Sequence, residues 1–285
     1  MAKYVPKKPK DVIPKEGHLL RDLFTLLLGF SGIILIAYFS IGFIAENLVT
    51  KLSFQDEISI VRKFSNSIPD LKVYDHPRIE LVETLTKELY EPFNNEGVTI
   101  DSGVMDSTME NAFMAAGGYL RVTTRLLDSI KSENELAFVI CHELGHFHHR
   151  HPIKRLGRGL SVIFALSYLG FNGTDIDLAG KGVQFGELAN SREQELEADR
   201  FGLECLNNRY KHVNGSSHFF ERIGKAKPDP SKLNPMKYTL THPITSDRLE
   251  KLKSYSLEKN FSLDGPLTLV SVETENQDHS ENTKN

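Results

Sequence analysis

The apolar pattern of the chain changes character several times. Leu23 to Ala45 runs 23 residues without a charge. That is about 35 Å of helix against about 30 Å of bilayer hydrocarbon, and it predicts one transmembrane helix closed by Glu46. A signal peptide would have a shorter apolar region followed by a small-residue cleavage site. Residues 46–63 read as a polar amphipathic connector. From Pro77 to Phe93, Ile79, Leu81, Val82, Leu85 and Leu89 recur near helical spacing. Val98 to Ile100, Ala112 to Met114 and Tyr119 to Val122 predict short strands, the last two around a turn at Gly117-Gly118. Helices are expected over Thr123–Ile130, Ser132 to about Arg150, Ser191 to about Asn207, and Ser246–Leu257. Ser132 with Glu135 three residues on has the capping-box pattern. Leu160–Phe171 is apolar but only 12 residues long. It is too short to span a bilayer and reads as a buried helix or a hydrophobic cover. The chain from Glu273 onward is polar and expected to be disordered.

The resulting fold class is α+β, mainly α-helical with a small sheet. Its expected divisions are a basic segment (1–22), the span (23–45), a connector (46–75), the main domain (76–260) and a tail (261–285).

Composition sharpens this picture in three places. An apolar fraction of 40% and a charged fraction of 25% allow a real core. A net charge of −4 gives no global basic field for nucleic acid. Two cysteines exclude a disulfide framework and any all-cysteine zinc site. The charges also orient the span. Lys3, Lys7, Lys8, Lys10, Lys15 and Arg21 precede it, and only Lys51 and Arg62 follow as far as residue 62. The positive-inside rule keeps the N-terminus in the cytoplasm and sends the rest across, into the periplasm in a two-membrane bacterium. Tyr38, Phe39 and Phe43 lie near the outer end, as an interfacial belt would.

The candidate chemistry starts at His142-Glu143-Leu144-Gly145-His146. Positions i and i+4 share a helix face, so His142 and His146 can meet one Zn²⁺. Glu143 then lies where it can take a proton from a zinc-bound water. A catalytic zinc wants three protein ligands and one open position. Ser191-Arg-Glu-Gln-Glu-Leu-Glu-Ala-Asp199 can supply the third. Glu195 and Asp199 share a face, so Glu195 can ligate while Asp199 orients a ligand histidine. Glu193 and Glu197 compete for the ligand role but do not share that face with Asp199.

With "NAFMAAGGYLRVTTRLLD" before these motifs and "THPITSDRLE" after, the chain resembles the membrane-associated gluzincin peptidases of the HtpX-like and CAAX prenyl protease-like type. The resemblance covers roughly residues 70–260. It implies an endopeptidase holding one zinc per chain, with His142, His146 and Glu195 as ligands and Glu143 as general base and acid. It also implies an edge strand over Asn111, Ala112, Phe113 and Met114 that binds substrate backbone by strand addition. His242 matches the family's His-Pro segment and, by analogy, would hydrogen-bond the oxyanion. Arg248 falls at a position the family keeps basic and is read as substrate-binding. The expected partners are protein or peptide substrates and the bilayer.

Other residues receive plainer readings. His148, His149 and His151 read as a polar helix end that, with Arg150, favours the C-terminal dipole, although His149 could also face the metal side. Cys141 and Cys205 are read as two separate buried thiols, because Cys205 lies ten residues past Glu195. The activity expected is membrane-tethered zinc endopeptidase, in the setting of envelope protein quality control. The alternatives are a latent enzyme, or a non-proteolytic chaperone or assembly factor that keeps its zinc.

Overall fold

The computed structural model describes residues 19–49, 51–64, 71–157, 190–225, 242 and 246–270. The readings for the basic N-terminal segment up to residue 18, the cover at Leu160–Phe171 and the polar tail past residue 270 lie outside these. Helix α1 spans Leu19–Val49 and α2 spans Phe54–Phe64. Then come α3 (Ile79–Tyr90), β1 (Asp101–Met105), β2 (Ala112–Ala115), β3 (Tyr119–Thr123), α4 (Thr124–Ser129) and α5 (Glu133–His148). After the undescribed stretch follow α6 (Arg192–Tyr210), α7 (His218–Lys225) and α8 (Ser246–Glu258). The domain is mainly helical with one three-stranded sheet, as expected. Side chains of α1 are described only in part, and among the described residues no helix is long and apolar enough to cross a membrane.

The sheet order is β1-β3-β2. Gly117 and Gly118, at φ 82° and 77°, supply the left-handed turn that folds β2 back on β3. The pairing is antiparallel, with Phe113 opposite Arg121 and Met114 opposite Leu120. β1 lies parallel to β3 and begins at Asp101, just past the apolar triplet Val98–Ile100 expected to form that strand. Val98 is instead tied into a turn with Asn94, whose side chain bonds both its N–H and its C=O.

Helix α5 is the core element. Every residue from Asn134 to Phe147 is buried. Ser132 caps it by accepting from the Glu135 N–H. The segment after α8, expected to be tail, straps across this end. The Glu133 N–H donates to Thr268 O at 2.8 Å, and Ser132 forms an antiparallel bridge with Leu269. Helix α6 starts with a full capping box between Ser191 and Gln194.

Two glycines let α5 and α6 approach closely. A Cβ on Gly145 would come within 3.0 Å of the Ala198 backbone, and one on Gly202 within 3.5 Å of the His142 Cα. Stepping back from Gly145 to His142 on α5 moves the contact forward from Ala198 to Gly202 on α6. The next step joins Cys141 to Cys205 in a disulfide, with their Cα atoms 5.9 Å apart. This corrects the reading of two separate thiols. The axial offset of Cys205 from Glu195 is real, but α5 runs the opposite way and carries Cys141 to meet it.

The bridge closes a separation of 64 residues. The double substitution Cys141→Ala/Cys205→Ala is expected to destabilise the domain by roughly 2–4 kcal/mol in denaturant unfolding. An unfolding midpoint equal to wild type under non-reducing conditions would show that the bridge contributes nothing.

Candidate metal centre

The packing of α5 on α6 aims three side chains at one point, and His242, from the segment before α8, joins them. His142, His146, Glu195 and His242 each offer a ligand atom, and these atoms all lie within 4.8 Å of one another. His142 Nε2 is 3.2 Å from His146 Nε2. Glu195 Oε1 is 3.3 Å from His146 Nε2, and Oε2 is 3.5 Å from His142 Nε2. Two donors each 2.0–2.1 Å from a tetrahedral zinc stand about 3.3 Å apart, so these separations suit the ion. All four residues are at least nine-tenths buried. A buried cluster of imidazoles around a carboxylate is costly unless a cation compensates it.

The electrostatics agree. Burial opposes ionisation of Glu195, but the facing His242 and bonds from His142 and His146 outweigh it and hold this carboxyl well below its usual range. Burial likewise opposes charge on His142, yet its bonds to Asp199 and Glu195 push it up to about 9. A divalent ion would satisfy the same negative surroundings that hold a proton there.

Asp199 lies where the i, i+4 reasoning expected it. Its Oδ1 is 3.0 Å from His142 Nδ1, which leaves Nε2 of that ring for the metal. Arg248 lies against the two carboxylates of the site. It is buried, donating to both oxygens of Asp199 at 2.6 and 2.7 Å, and its Nη1 lies 2.8 Å from Glu195 Oε2. It neutralises the two carboxylates that hold the site, a job that a basic residue in the sequence does not announce.

Glu143 also faces the cluster. Its Oε2 accepts the Met114 N–H at 3.0 Å, while Oε1 is buried with no hydrogen-bond partner. Burial raises its pKa, with His242 and His142 opposing. This oxygen, with His242 Nε2 3.5 Å away and no hydrogen bond among the described residues, lies beside the ligand cluster, where an attacking water would be held.

The four strand residues read as substrate-binding lie alongside. Among the described residues β2 pairs with β3 alone, as the edge strand of the sheet. Thr123 N–H donates to Asn111 O, which turns Asn111 and Phe113 toward β3. The backbone groups of Ala112 and Met114 then point to the free edge, the side of Glu143.

His242 enters the ligand cluster itself. Its Nδ1 is 3.0 Å from Glu195 Oε1 and 3.3 Å from His142 Nε2, and its Nε2 is 3.5 Å from Glu143 Oε1. Two residues escaped the sequence reading. Asn190, just before the α6 cap, donates to Glu195 Oε1 at 2.6 Å. His151 is 1% exposed and touches His146, with Nδ1 to Nδ1 at 2.9 Å. Burial, with His149, Lys154 and Arg155 adding, brings His151 down to about 3 and keeps it neutral. Glu197, a competitor for the ligand role, bonds His151 instead. His149 stacks on the far side of His151, outside the ligand cluster.

Two histidines at i, i+4, a carboxylate from a second helix and an adjacent glutamate define a mononuclear zinc hydrolase centre. The family model for peptidase family M48 matches residues 79–256. The chain belongs to that family of zinc metallopeptidases. It is 27% identical over 187 residues to the mitochondrial metalloendopeptidase OMA1 of Schizosaccharomyces pombe, covering 63% of this chain and 53% of that protein. It is 26% identical over 208 residues to the beta-barrel assembly-enhancing protease of Yersinia pestis, covering 68% of this chain and 42% of that one. It is 25% identical over 167 residues to the metalloprotease YcaL of Escherichia coli, covering 56% and 63%. The chain thus matches only part of the length of each.

Glu195→Ala is expected to leave the protein with little bound zinc. Asp199→Asn should retain zinc but bind it about 10–100-fold more weakly. Competition against a chromophoric chelator measures both, and wild-type affinity in Asp199→Asn would remove its orienting role.

Proposed function

We propose that this chain is a membrane-anchored zinc metalloendopeptidase with His142, His146 and Glu195 as ligands. The observation that carries the reading is Glu143, whose unpartnered Oε1 faces the ligand cluster while its Oε2 is fixed by the Met114 N–H. Bound zinc supplies an acidified water and a Lewis acid for the scissile carbonyl. Glu143 Oε1 accepts the proton of the attacking water and returns it to the leaving nitrogen. The outer edge of β2 holds the substrate backbone in extended form through the N–H and C=O of Ala112 and the C=O of Met114, next to that base, which the Met114 N–H holds in place. His242, by resemblance, donates to the oxyanion through the ring now turned toward Glu195.

The anchor is α1. It is 31 residues long, and Leu23 to Ala45 carries no charge. Among the described residues, Leu23, Phe24, Leu26, Leu27, Leu28, Phe30, Ile33 and Ile36 are all exposed, a run of large apolar side chains suited to lipid. The basic N-terminal flank puts the catalytic domain on the extracytoplasmic side. The Cys141–Cys205 disulfide supports that side, because such bonds persist in oxidising compartments. The reading places the enzyme in a bacterial inner membrane, acting on envelope proteins. Relatives named for beta-barrel assembly point the same way.

A second reading is favoured by His242. With Nδ1 among the ligand atoms, its ring fills the position that a water needs, which describes a latent form. Zinc content and cleavage of an unfolded protein such as casein separate the cases. Zinc in both wild type and Glu143→Gln, with cleavage only in wild type, is the expected result. Zinc in both and cleavage in neither moves the assignment to the latent enzyme or the chaperone. His242→Ala then decides its role: faster cleavage identifies a blocking ligand, and a slower rate an oxyanion donor.

A further inference from the structure

The two ligand histidines are supported in different ways. Asp199 holds His142 directly. His146 Nε2 faces the ligand cluster, so its proton must sit on Nδ1, and Nδ1 lies 2.9 Å from His151 Nδ1. A ring accepting there carries its own proton on Nε2, which is 3.0 Å from Glu197 Oε2. The tautomers of both rings are fixed by the metal at one end and the carboxylate at the other.

Local backbone geometry builds this contact. α5 stops at His148, and Arg150 takes φ 61°, a left-handed conformation that few non-glycine residues adopt. Its N–H donates to Phe147 O at 2.8 Å. The turn is pinned from outside. The Arg150 guanidinium bonds Glu57 Oε2 at 2.9 Å and also reaches Leu52 O. Pro152 then starts a new helical segment over 151–157, and His151 at its head is returned to the metal side of α5. Had α5 continued, a residue five positions past His146 would point well round the helix from it.

We propose that His151 and Glu197 form a positioning relay for the zinc ligand His146, the counterpart of Asp199 for His142. The relay hands carboxylate character to His146 across a neutral imidazole. Asp199, paired with Arg248, is already neutralised, whereas the Glu197 side chain is 40% exposed and meets water. The two ligands therefore differ in basicity, and His146 depends on a partner outside the buried core. His151 touches neither substrate nor metal, so its role is to orient and polarise.

The inference rests on the zinc-ligand assignment above, and its test uses the full chain in detergent micelles. Zinc affinity is measured by chelator competition for wild type, His151→Ala, His151→Gln and Glu197→Gln. The visible spectrum of each cobalt-substituted protein and the melting temperature of each zinc-free protein are recorded beside it. His151→Ala is expected to bind zinc about 10–100-fold more weakly and to shift the cobalt bands. His151→Gln, whose amide oxygen can accept from His146, should recover much of the loss. Glu197→Gln should weaken binding by a smaller factor without lowering the zinc-free melting temperature. Wild-type affinity and spectrum in His151→Ala overturn the relay, even if that variant melts earlier. Should His151→Ala not fold, an unchanged affinity and spectrum in both other variants overturn it instead. A wild-type protein that binds no zinc overturns the ligand assignment and the relay with it. Zinc binding by wild type with no change in any variant overturns the relay alone.

Discussion

The close crossing of α5 and α6 is the constraint on which the rest of the structure depends. Gly145 and Gly202 bring the helices near enough for His142 and His146 on one to meet Glu195 and Asp199 on the other. The same crossing places Cys141 beside Cys205. Neither helix could present this set alone. α5 is buried along nearly its whole length, and α6 is polar on the face that water reaches. A helix of such mixed character stays in place through packing and specific polar bonds, with little from its own amphipathicity.

That dependence explains what the sequence could convey. Residues whose placement follows from spacing within one helix were legible: His142, Glu143 and His146 on α5, Glu195 and Asp199 on α6. The Ser132 cap was legible for the same reason, since a cap is local. Roles set by two elements together were not. The disulfide needs the antiparallel direction of α6, which no spacing contains. Arg248 reads as substrate-binding by its resemblance to the family, and only α8 places it against Asp199. Turn residues were hidden too. Nothing in His148-His149-Arg150-His151 announces that Arg150 turns left-handed, and without that turn the three histidines are a helix end. The strand shift from Val98–Ile100 to Asp101–Met105 is a similar case. β1 is a strand because it pairs with β3, and its own composition (Asp101, Ser102, Gly103) argues weakly for it.

The connector between α1 and the catalytic domain shows the same principle at larger scale. Composition makes residues 46–63 a polar amphipathic link, yet α2 is built into the domain. Glu57 is 1% exposed, where it accepts the Gly117 N–H at 3.3 Å and pairs with Arg150. Phe54 packs on Phe147 with ring centroids 5.0 Å apart. Arg62 donates to Thr99 O at 2.9 Å and lies over the Tyr119 ring. A single short helix thus grips the β2–β3 turn with one set of groups and the end of α5 with another.

A buried carboxylate is retained only where its bonds repay desolvation. Glu57 has two such bonds, and they join two turns: the one between β2 and β3 and the one that sets His151 against His146. Burial raises the Glu57 pKa, and the bonds from Gly117 and Arg150 oppose that rise. Val61 on the same helix leaves no room for a side chain at Gly117, where a Cβ would come within 2.8 Å of its Cγ1. Helix α2 is therefore part of the architecture around the ligand cluster. A displacement of α2 would act on both the β2–β3 turn and the turn that sets His151 against His146, because one buried ion pair and its neighbours connect them.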